Sequence, residues 1–290
     1  MEEVWTILRV LKWTGDYFKR KGLAQPRADA EVLLAHCLGL ERIQLYLRYD
    51  QPLDGAELAR FRELVKRRGA REPTQYITRK QEFWSLEMEV TPATLVPRPE
   101  TEVLVEKALE IIQGRSVHVL DLGTGSGAIA VALAHEAPQV QLVATDRSSN
   151  ALEVAARNAR RHRVDSRIAF VAMDLFQGFL PTMRPFQLVV SNPPYIGEEE
   201  LPRLPPEVRA YEPMAALRGG GSQGLDLIVS ILDAAPFFLQ EGGHLLMEIG
   251  KGQAELLGPL LSSRRGIAGF RFHRDYSNIP RVLHVRMTER

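Results

Sequence analysis

Two short stretches of this 290-residue chain carry residue types that can do chemistry. The first is Ser191-Asn192-Pro193-Pro194-Tyr195. Consecutive prolines fix φ and remove two backbone donors, so the stretch becomes an array of acceptors. The side-chain carbonyl of Asn192 and the backbone carbonyl of Pro193 could grip both hydrogens of a planar NH2 group. Tyr195 offers an aromatic face to whatever planar group carries that nitrogen. An amide or exocyclic amine is a poor nucleophile because its lone pair is delocalised. Hydrogen bonds that favour a pyramidal nitrogen, together with close positioning, ease its attack without a strong general base.

The second stretch is Asp121-Leu-Gly-Thr-Gly-Ser-Gly127. Its glycines let the backbone turn tightly and approach a ligand, and the helix that follows offers free N–H groups. The GxGxG spacing differs from the GxGxxG of dinucleotide sites. Asp146 stands where a carboxylate can accept from both ribose hydroxyls, and Asp174 ends the next strand. Three carboxylates at successive strand ends would repel a phosphate ligand. They suit a nucleoside with cationic groups, and S-adenosylmethionine, with its sulfonium and ammonium, fits. The plainer alternative is that Asp121 and Asp174 only cap helices or turns. Among the seven histidines there is no pair at helical ligand spacing and no HExxH, so no metal is expected.

Residues from about 115 onward must position these stretches. Val117–Leu122, Val140–Thr145, Ile168–Met173, Leu188–Ser191 and His244–Ile249 read as strands. Ala128–Glu136, Ala151–His162 and Leu225–Leu239 read as helices. Alternation of this kind predicts an α/β fold with a doubly wound, mostly parallel sheet. Phe270–His273 and Val282–Arg286 predict an antiparallel hairpin at one edge. Phe83–Val90 predicts a small hairpin, and Thr91–Pro99 a proline-rich connector into a helix over Glu100–Ile112. The first 80 residues read instead as a small helical bundle. Its apolar stripes are Val4, Ile7, Leu8 and Leu11; Ala30, Leu33, Leu34 and Cys37; and Leu58, Phe61, Leu64 and Val65.

The composition is that of a globular protein, 45% hydrophobic and 25% charged. One cysteine allows no internal disulfide, and Cys37 reads as core. The first residues lack the pattern of a signal or transit peptide, and the run Ala128–Ala134 is too short to span a bilayer, so a cytoplasmic protein is expected. The net charge of +1 divides unevenly, with 16 Lys+Arg against 11 Asp+Glu in residues 1–80 and 21 against 25 in the rest. Lys66, Arg67, Arg68 and Arg71 cluster where cations favour a helix C-terminus, or where an acidic partner would dock.

Val96-Pro-Arg-Pro-Glu-Thr-Glu102, Asp121–Gly127, Asn192–Tyr195, Tyr211-Glu-Pro213 with Ala216-Leu217, Gly224-Leu225, and Glu248-Ile-Gly250 with Gln253 together resemble the release-factor glutamine methyltransferases, the HemK/PrmC family. The resemblance implies a seven-stranded S-adenosylmethionine-dependent methyltransferase sheet. It divides the chain into a helical substrate-recognition domain (1–80), a β-hairpin and linker (81–97) and a methyltransferase domain (98–290). It implies methylation of the side-chain amide nitrogen, N5, of the Gln in the Gly-Gly-Gln motif of class I peptide-chain release factors, with S-adenosylhomocysteine as product. The residues implied to hold the cofactor are Asp121, Gly123, Thr124, Gly125, Gly127, Asp146, Asp174, Leu175 and Asn192. Within that set Gly123 and Gly125 would approach the methionine moiety, Asp146 the ribose, and Asp174 with Leu175 the adenine. Asn192, Pro193, Pro194 and Tyr195 would carry the catalysis, and Arg98, Pro99, Glu100 and Thr101 would border the substrate together with Asn192, Pro193 and Tyr195.

The sequence departs from the family where Asp275-Tyr-Ser-Asn278-Ile-Pro-Arg281 carries Asn in place of a common Gly. Asn tolerates the left-handed backbone, so the turn should survive. Asn-Pro-Pro-Tyr alone also occurs in adenine and ribosomal-protein glutamine methyltransferases, which leaves those substrates as alternatives. The acidic balance of the catalytic part argues against nucleic acid. A monomer with no membrane partner is expected.

Overall fold

The structure is a computed structural model that describes residues 4–180 and 185–289. The chain divides into two compact units, Met1–Arg79 with Pro205–Tyr211, and Lys80–Leu204 with Glu212–Arg290.

The first unit contains helices α1 (Ile7–Arg20), α2 (Pro26–Leu38), α3 (Arg42–Leu47), α4 (Gly55–Gly69) and α5 (Thr74–Thr78). Three apolar stripes predicted three helices, and the short α3 and α5 lie outside them. The Thr6 side chain accepts from the Arg9 N–H and so starts α1 at Ile7. That start sets the buried stripe to Ile7, Val10, Thr14 and Phe18. Val4 precedes the helix and Leu8 is exposed, which corrects the stripe expected from spacing alone. Asp54 and Glu57 form a reciprocal capping box at the start of α4. Cys37 is half-buried at the edge of the bundle core, and burial pushes its thiol pKa up.

The basic cluster at the end of α4 is engaged within this unit. Lys66 pairs with Glu63, Arg67 with Glu72 and Arg68 with Asp29, while Arg71 donates to the carbonyls of Lys21 and Gly22.

The second unit opens with the hairpin β1 (Lys80–Phe83) and β2 (Leu86–Glu89), turned through Trp84 and Ser85 at φ 53° and 56°. A 3-10 turn over Pro99–Thr101 leads into α6 (Glu102–Ile112). Then follow β3 (His118–Leu122), α7 (Ala128–Glu136), β4 (Gln141–Asp146), α8 (Ser149–Arg161), β5 (Ile168–Ala172) and β6 (Phe186–Ser191). After α9 (Pro206–Tyr211), whose residues belong to the first unit, come α10 (Asp226–Ala234), β7 (Leu239–Glu248), α11 (Gln253–Ser262), β8 (Ile267–Arg274) and β9 (Pro280–Met287).

The seven strands form one sheet in the order β5-β4-β3-β6-β7-β9-β8, parallel except for β9, which runs antiparallel to both neighbours. Alternate residues of β3 serve opposite faces, Val119 in one apolar cluster and Leu120 and Leu122 in the other. Every residue of Ala128–Ala134 is buried, as expected for a helix that is apolar all round. The helix expected over Leu225–Leu239 stops at Ala234. Pro236 cannot continue the ladder, so Ala235–Phe237 tightens to a 3-10 turn and Leu239 already belongs to β7. Asn278 adopts φ 61°, and the Asp275 carboxylate accepts from the N–H groups of Ser277 and Ile279, so the turn forms with Asn at that position. Among the described residues no helix is long and apolar enough to cross a membrane.

Candidate active site

The strand order reverses at β3, which sends β4 to one side and β6 to the other. At such a switch point the loops leaving the carboxyl ends diverge and open a crevice. A cavity of about 230 Å³ lies there, lined by the loops after β3, β4, β5 and β6 and by parts of residues 93–97 and 213–216.

The loop after β3 is held by its backbone. Gly123 and Thr124 both donate to the Thr145 carbonyl at 2.9 Å, and Gly127 donates to the Thr124 carbonyl. Gly123 and Gly125 have φ of 71° and 55°, and a Cβ added at either would meet nothing within 4 Å. Both therefore leave open space for a ligand that approaches the main chain. Gly127 has a different task. An added Cβ would stand 2.9 Å from the Ala155 Cβ, so this glycine lets α7 pack closely against α8 and does not line the cavity.

Asp146 lies in the wall with both carboxylate oxygens anchored, Oδ2 by the Gly125 N–H and Oδ1 by the Ser148 N–H, each at 2.9 Å. Each oxygen keeps a lone pair for a ligand hydroxyl. Asp174, Leu175 and Thr124 also line the cavity, as does the cation Arg147. Asp121 does not. It is fully buried behind the loop, where Oδ2 accepts from the Thr124 hydroxyl at 2.6 Å and Oδ1 has no hydrogen-bond partner among the described residues. Burial lifts its carboxyl to about 7 against the pull of that hydroxyl. The open backbone at Gly123 and Gly125 and the anchored Asp146 carboxylate fit a cationic nucleoside such as S-adenosylmethionine.

Asn192 lines the facing wall. Its Nδ2 donates to Thr101 Oγ1 at 3.2 Å, and that hydroxyl donates to Glu248 Oε2 at 2.6 Å. The Tyr195 hydroxyl donates to the other Glu248 oxygen at 3.1 Å. Glu248 ends β7 and is 1% exposed. Burial lifts its carboxyl to about 6, and the two hydroxyls oppose the rise. Burial likewise pushes the Tyr195 phenol above its ordinary value, with Glu248 adding to the effect.

Tyr195 is thus turned toward Glu248, its ring against the apolar cluster beneath the sheet and outside the cavity wall, away from the stacking position expected of it. Pro194 lines the wall, but Pro193 is buried and does not. Of the segment before the core, Thr101 reaches the wall, while Arg98, Pro99 and Glu100 do not. The Arg98 guanidinium donates to Glu212, which also accepts from the Val96 N–H, and so ties residues 96–98 to the segment that enters the wall at Pro213.

Two further buried amides hold the loops: Asn158, which lies in none of the motifs, and Gln253, whose motif carried no assigned role. Asn158 accepts from the Glu89 N–H and donates to the carbonyls of Glu89 and Ser126, tying the hairpin to the glycine loop. Gln253 donates to the carbonyls of Tyr195 and Gln223 and accepts from the Gly250 N–H. Glycines at 197, 219 and 224 let these loops touch, because a Cβ at Gly197 would fall 2.1 Å from the Ser222 carbonyl oxygen.

A doubly wound sheet with a glycine loop, an anchored carboxylate on the next strand and Asn-Pro-Pro-Tyr at the switch point defines a methyltransferase. Residues 99–203 match the methyltransferase small domain family and residues 9–78 the PrmC N-terminal domain. The sequence is 47% identical over 289 residues to a release factor glutamine methyltransferase of Geobacter sulfurreducens, covering 98% of each chain. It is 37% identical over 294 residues to the MTRF1L release factor glutamine methyltransferase of Homo sapiens, covering 96% of this chain and 86% of that one. The crystal structure of a methyltransferase from Pyrococcus furiosus shares the fold at 19% identity and a TM-score of 0.51, covering 70% of this chain and 89% of that one. The chain belongs to the release factor glutamine methyltransferase family.

Proposed function

We propose that this enzyme methylates the side-chain amide nitrogen, N5, of the Gln in the Gly-Gly-Gln motif of class I peptide-chain release factors. The observation that carries the reading is the placement of Asn192 across one cavity from Gly123, Gly125 and Asp146. Gly123 and Gly125 admit the methionine part of the methyl donor, Asp146 holds its ribose, and Asp174 with Leu175 borders the adenine. Bound there, S-adenosylmethionine supplies an electrophilic methyl group on a sulfonium sulfur.

Asn192 accepts an N–H of the substrate amide and thereby favours a pyramidal nitrogen with its lone pair free. The N–C bond forms as the S–C bond breaks, and the extra proton on nitrogen passes to water. Orientation supplies much of the rate, since both reactants are held on rigid loops. Tyr195 acts behind the wall, bracing Glu248. Pro193 helps by fixing the backbone that carries Asn192.

The charge distribution supports a protein substrate over a nucleic acid, because residues 81–290 carry 21 Lys+Arg against 25 Asp+Glu. On the first unit, Leu8, Ile43, Leu47 and Tyr49 are exposed and supply apolar surface for a macromolecule, whereas the Lys66–Arg71 cluster is already engaged. With labelled methyl donor, label should appear on a class I release factor and vanish when its Gly-Gly-Gln glutamine is changed to Ala. Label that persists on that variant, or that goes only to a ribosomal protein or to nucleic acid, refutes the assignment.

A further inference from the structure

We infer that Glu248 is the positioning residue that fixes which end of the Asn192 amide faces the substrate, and that it thereby makes the site select an amide over a carboxylate. The inference rests on the glutamine substrate proposed above.

The argument is one of donors and acceptors. An ionised carboxylate only accepts hydrogen bonds. Thr101 and Tyr195 must therefore both spend their hydroxyl protons on Glu248, at 2.6 and 3.1 Å. With its proton committed, the Thr101 oxygen can only accept from Asn192, 3.2 Å away. The end of the amide that satisfies it is the NH2. Asn192 Oδ1 is left pointing away from Thr101, free to accept from a substrate NH2. An amide of the opposite polarity would set NH2 against NH2. The orientation of an Asn side chain is read from its network, and here the network runs back to one buried carboxylate.

The relay needs the charge on Glu248. The groups facing that carboxylate are Thr101 and Glu100 on the 3-10 turn, Tyr195 after β6 and Arg281 on β9. A proton on Glu248, or a Gln in its place, adds a donor to the network. Thr101 can then accept from residue 248 and donate to Asn192, and the amide inverts. The carboxyl titrates at about 6, so activity at saturating methyl donor falls as pH drops through that value.

Glu248→Gln preserves shape and isolates the effect. At neutral pH its kcat on a release factor should fall roughly 10- to 100-fold, the span expected for mispairing one buried polar group. Its Kd for S-adenosylmethionine should stay within a few fold, and the acid limb of the kcat profile near pH 6 should disappear. A release factor carrying Gly-Gly-Glu, used as a competitor, should bind the unaltered enzyme poorly and Glu248→Gln at least several-fold better, because an inverted Asn192 donates to a carboxylate. Thr101→Val cuts the relay while leaving the Glu248–Tyr195 bond. It should show the same kcat loss, and it decides the matter if Glu248→Gln does not fold.

Unchanged kcat in both variants overturns the inference. So does a kcat loss with the acid limb and the Gln-over-Glu preference intact, since that marks a merely structural role. If the unaltered enzyme leaves the release factor unlabelled, the substrate reading fails and this inference fails with it. If it labels the factor and only the variant results disagree, this inference alone fails.

Discussion

The two walls of the cavity are made of different material. On the glycine-loop side, the Thr124–Asp121 bond apart, the contacts are made by the main chain: N–H groups of Gly123, Thr124, Gly125 and Ser148 hold the Thr145 carbonyl and the Asp146 carboxylate. On the Asn192 side the contacts are side chain to side chain, and they join Thr101 to partners 91 and 147 positions away in sequence. A main-chain wall depends on backbone conformation and tolerates change in the side chains around it. A side-chain wall depends on the identity of every member, because each donor is matched to one acceptor. The first suits a cofactor that is always the same, and the second a substrate group that must be told from a near copy.

The contrast can be broken at either wall. Asn192→Ala removes the acceptor facing the substrate amide and should lower kcat by roughly 10²- to 10³-fold, comparable to deleting one preorganised hydrogen-bonding group from a transition state. Calorimetry should find the Kd for S-adenosylmethionine within a few fold of the unaltered enzyme, and a large loss of cofactor binding would contradict the division of labour. Asp146→Ala should do the reverse. Loss of hydrogen bonds to a charged group weakens cofactor binding by roughly 10- to 100-fold, while kcat at saturating cofactor changes little.

Gly197→Ala probes the support behind the Asn192 wall. Its Cβ would collide with the Ser222 carbonyl, so a loss of about 1–3 kcal/mol is expected from overpacking. Thermal unfolding should report it as a drop of several degrees in Tm. An unchanged Tm would mean that the two loops slide apart at no cost.

Much of the main-chain wall was legible in the sequence. Glycine spacing, an acidic residue at the end of the next strand and β/α alternation are local patterns, and they led to Gly123, Gly125, Asp146 and the order of elements. Gly127 shows the limit of such reading. The same residue type in the same motif serves helix packing at Ala155, and only the approach of α8 reveals that. The side-chain wall was legible only as far as Asn192. Glu248 and Gln253 stood in a recognisable motif, but nothing in their neighbours said that one closes a relay through Thr101 and the other grips the Tyr195 carbonyl. Tyr195 read as a stacking platform because its type permits that, and its partner lies on a strand that only the sheet order brings beside it. In α1 the spacing of Val4, Ile7, Leu8 and Leu11 was genuine, but the Thr6 cap decided which turn came first.

The crossing at Gly197, Ser222 and Gln253 also bears on the order in which the enzyme comes into being. A chain emerging from the ribosome holds the glycine loop and its carboxylate once residues 118–148 are out, contacts of short sequence separation that form early. The opposite wall needs Glu248 and then Gln253, 100 and 105 residues beyond Ser148, before Asn192 is held and the loop carrying it is gripped. Cofactor-binding capacity should therefore precede catalytic competence during synthesis, and the start of α11 completes the second wall.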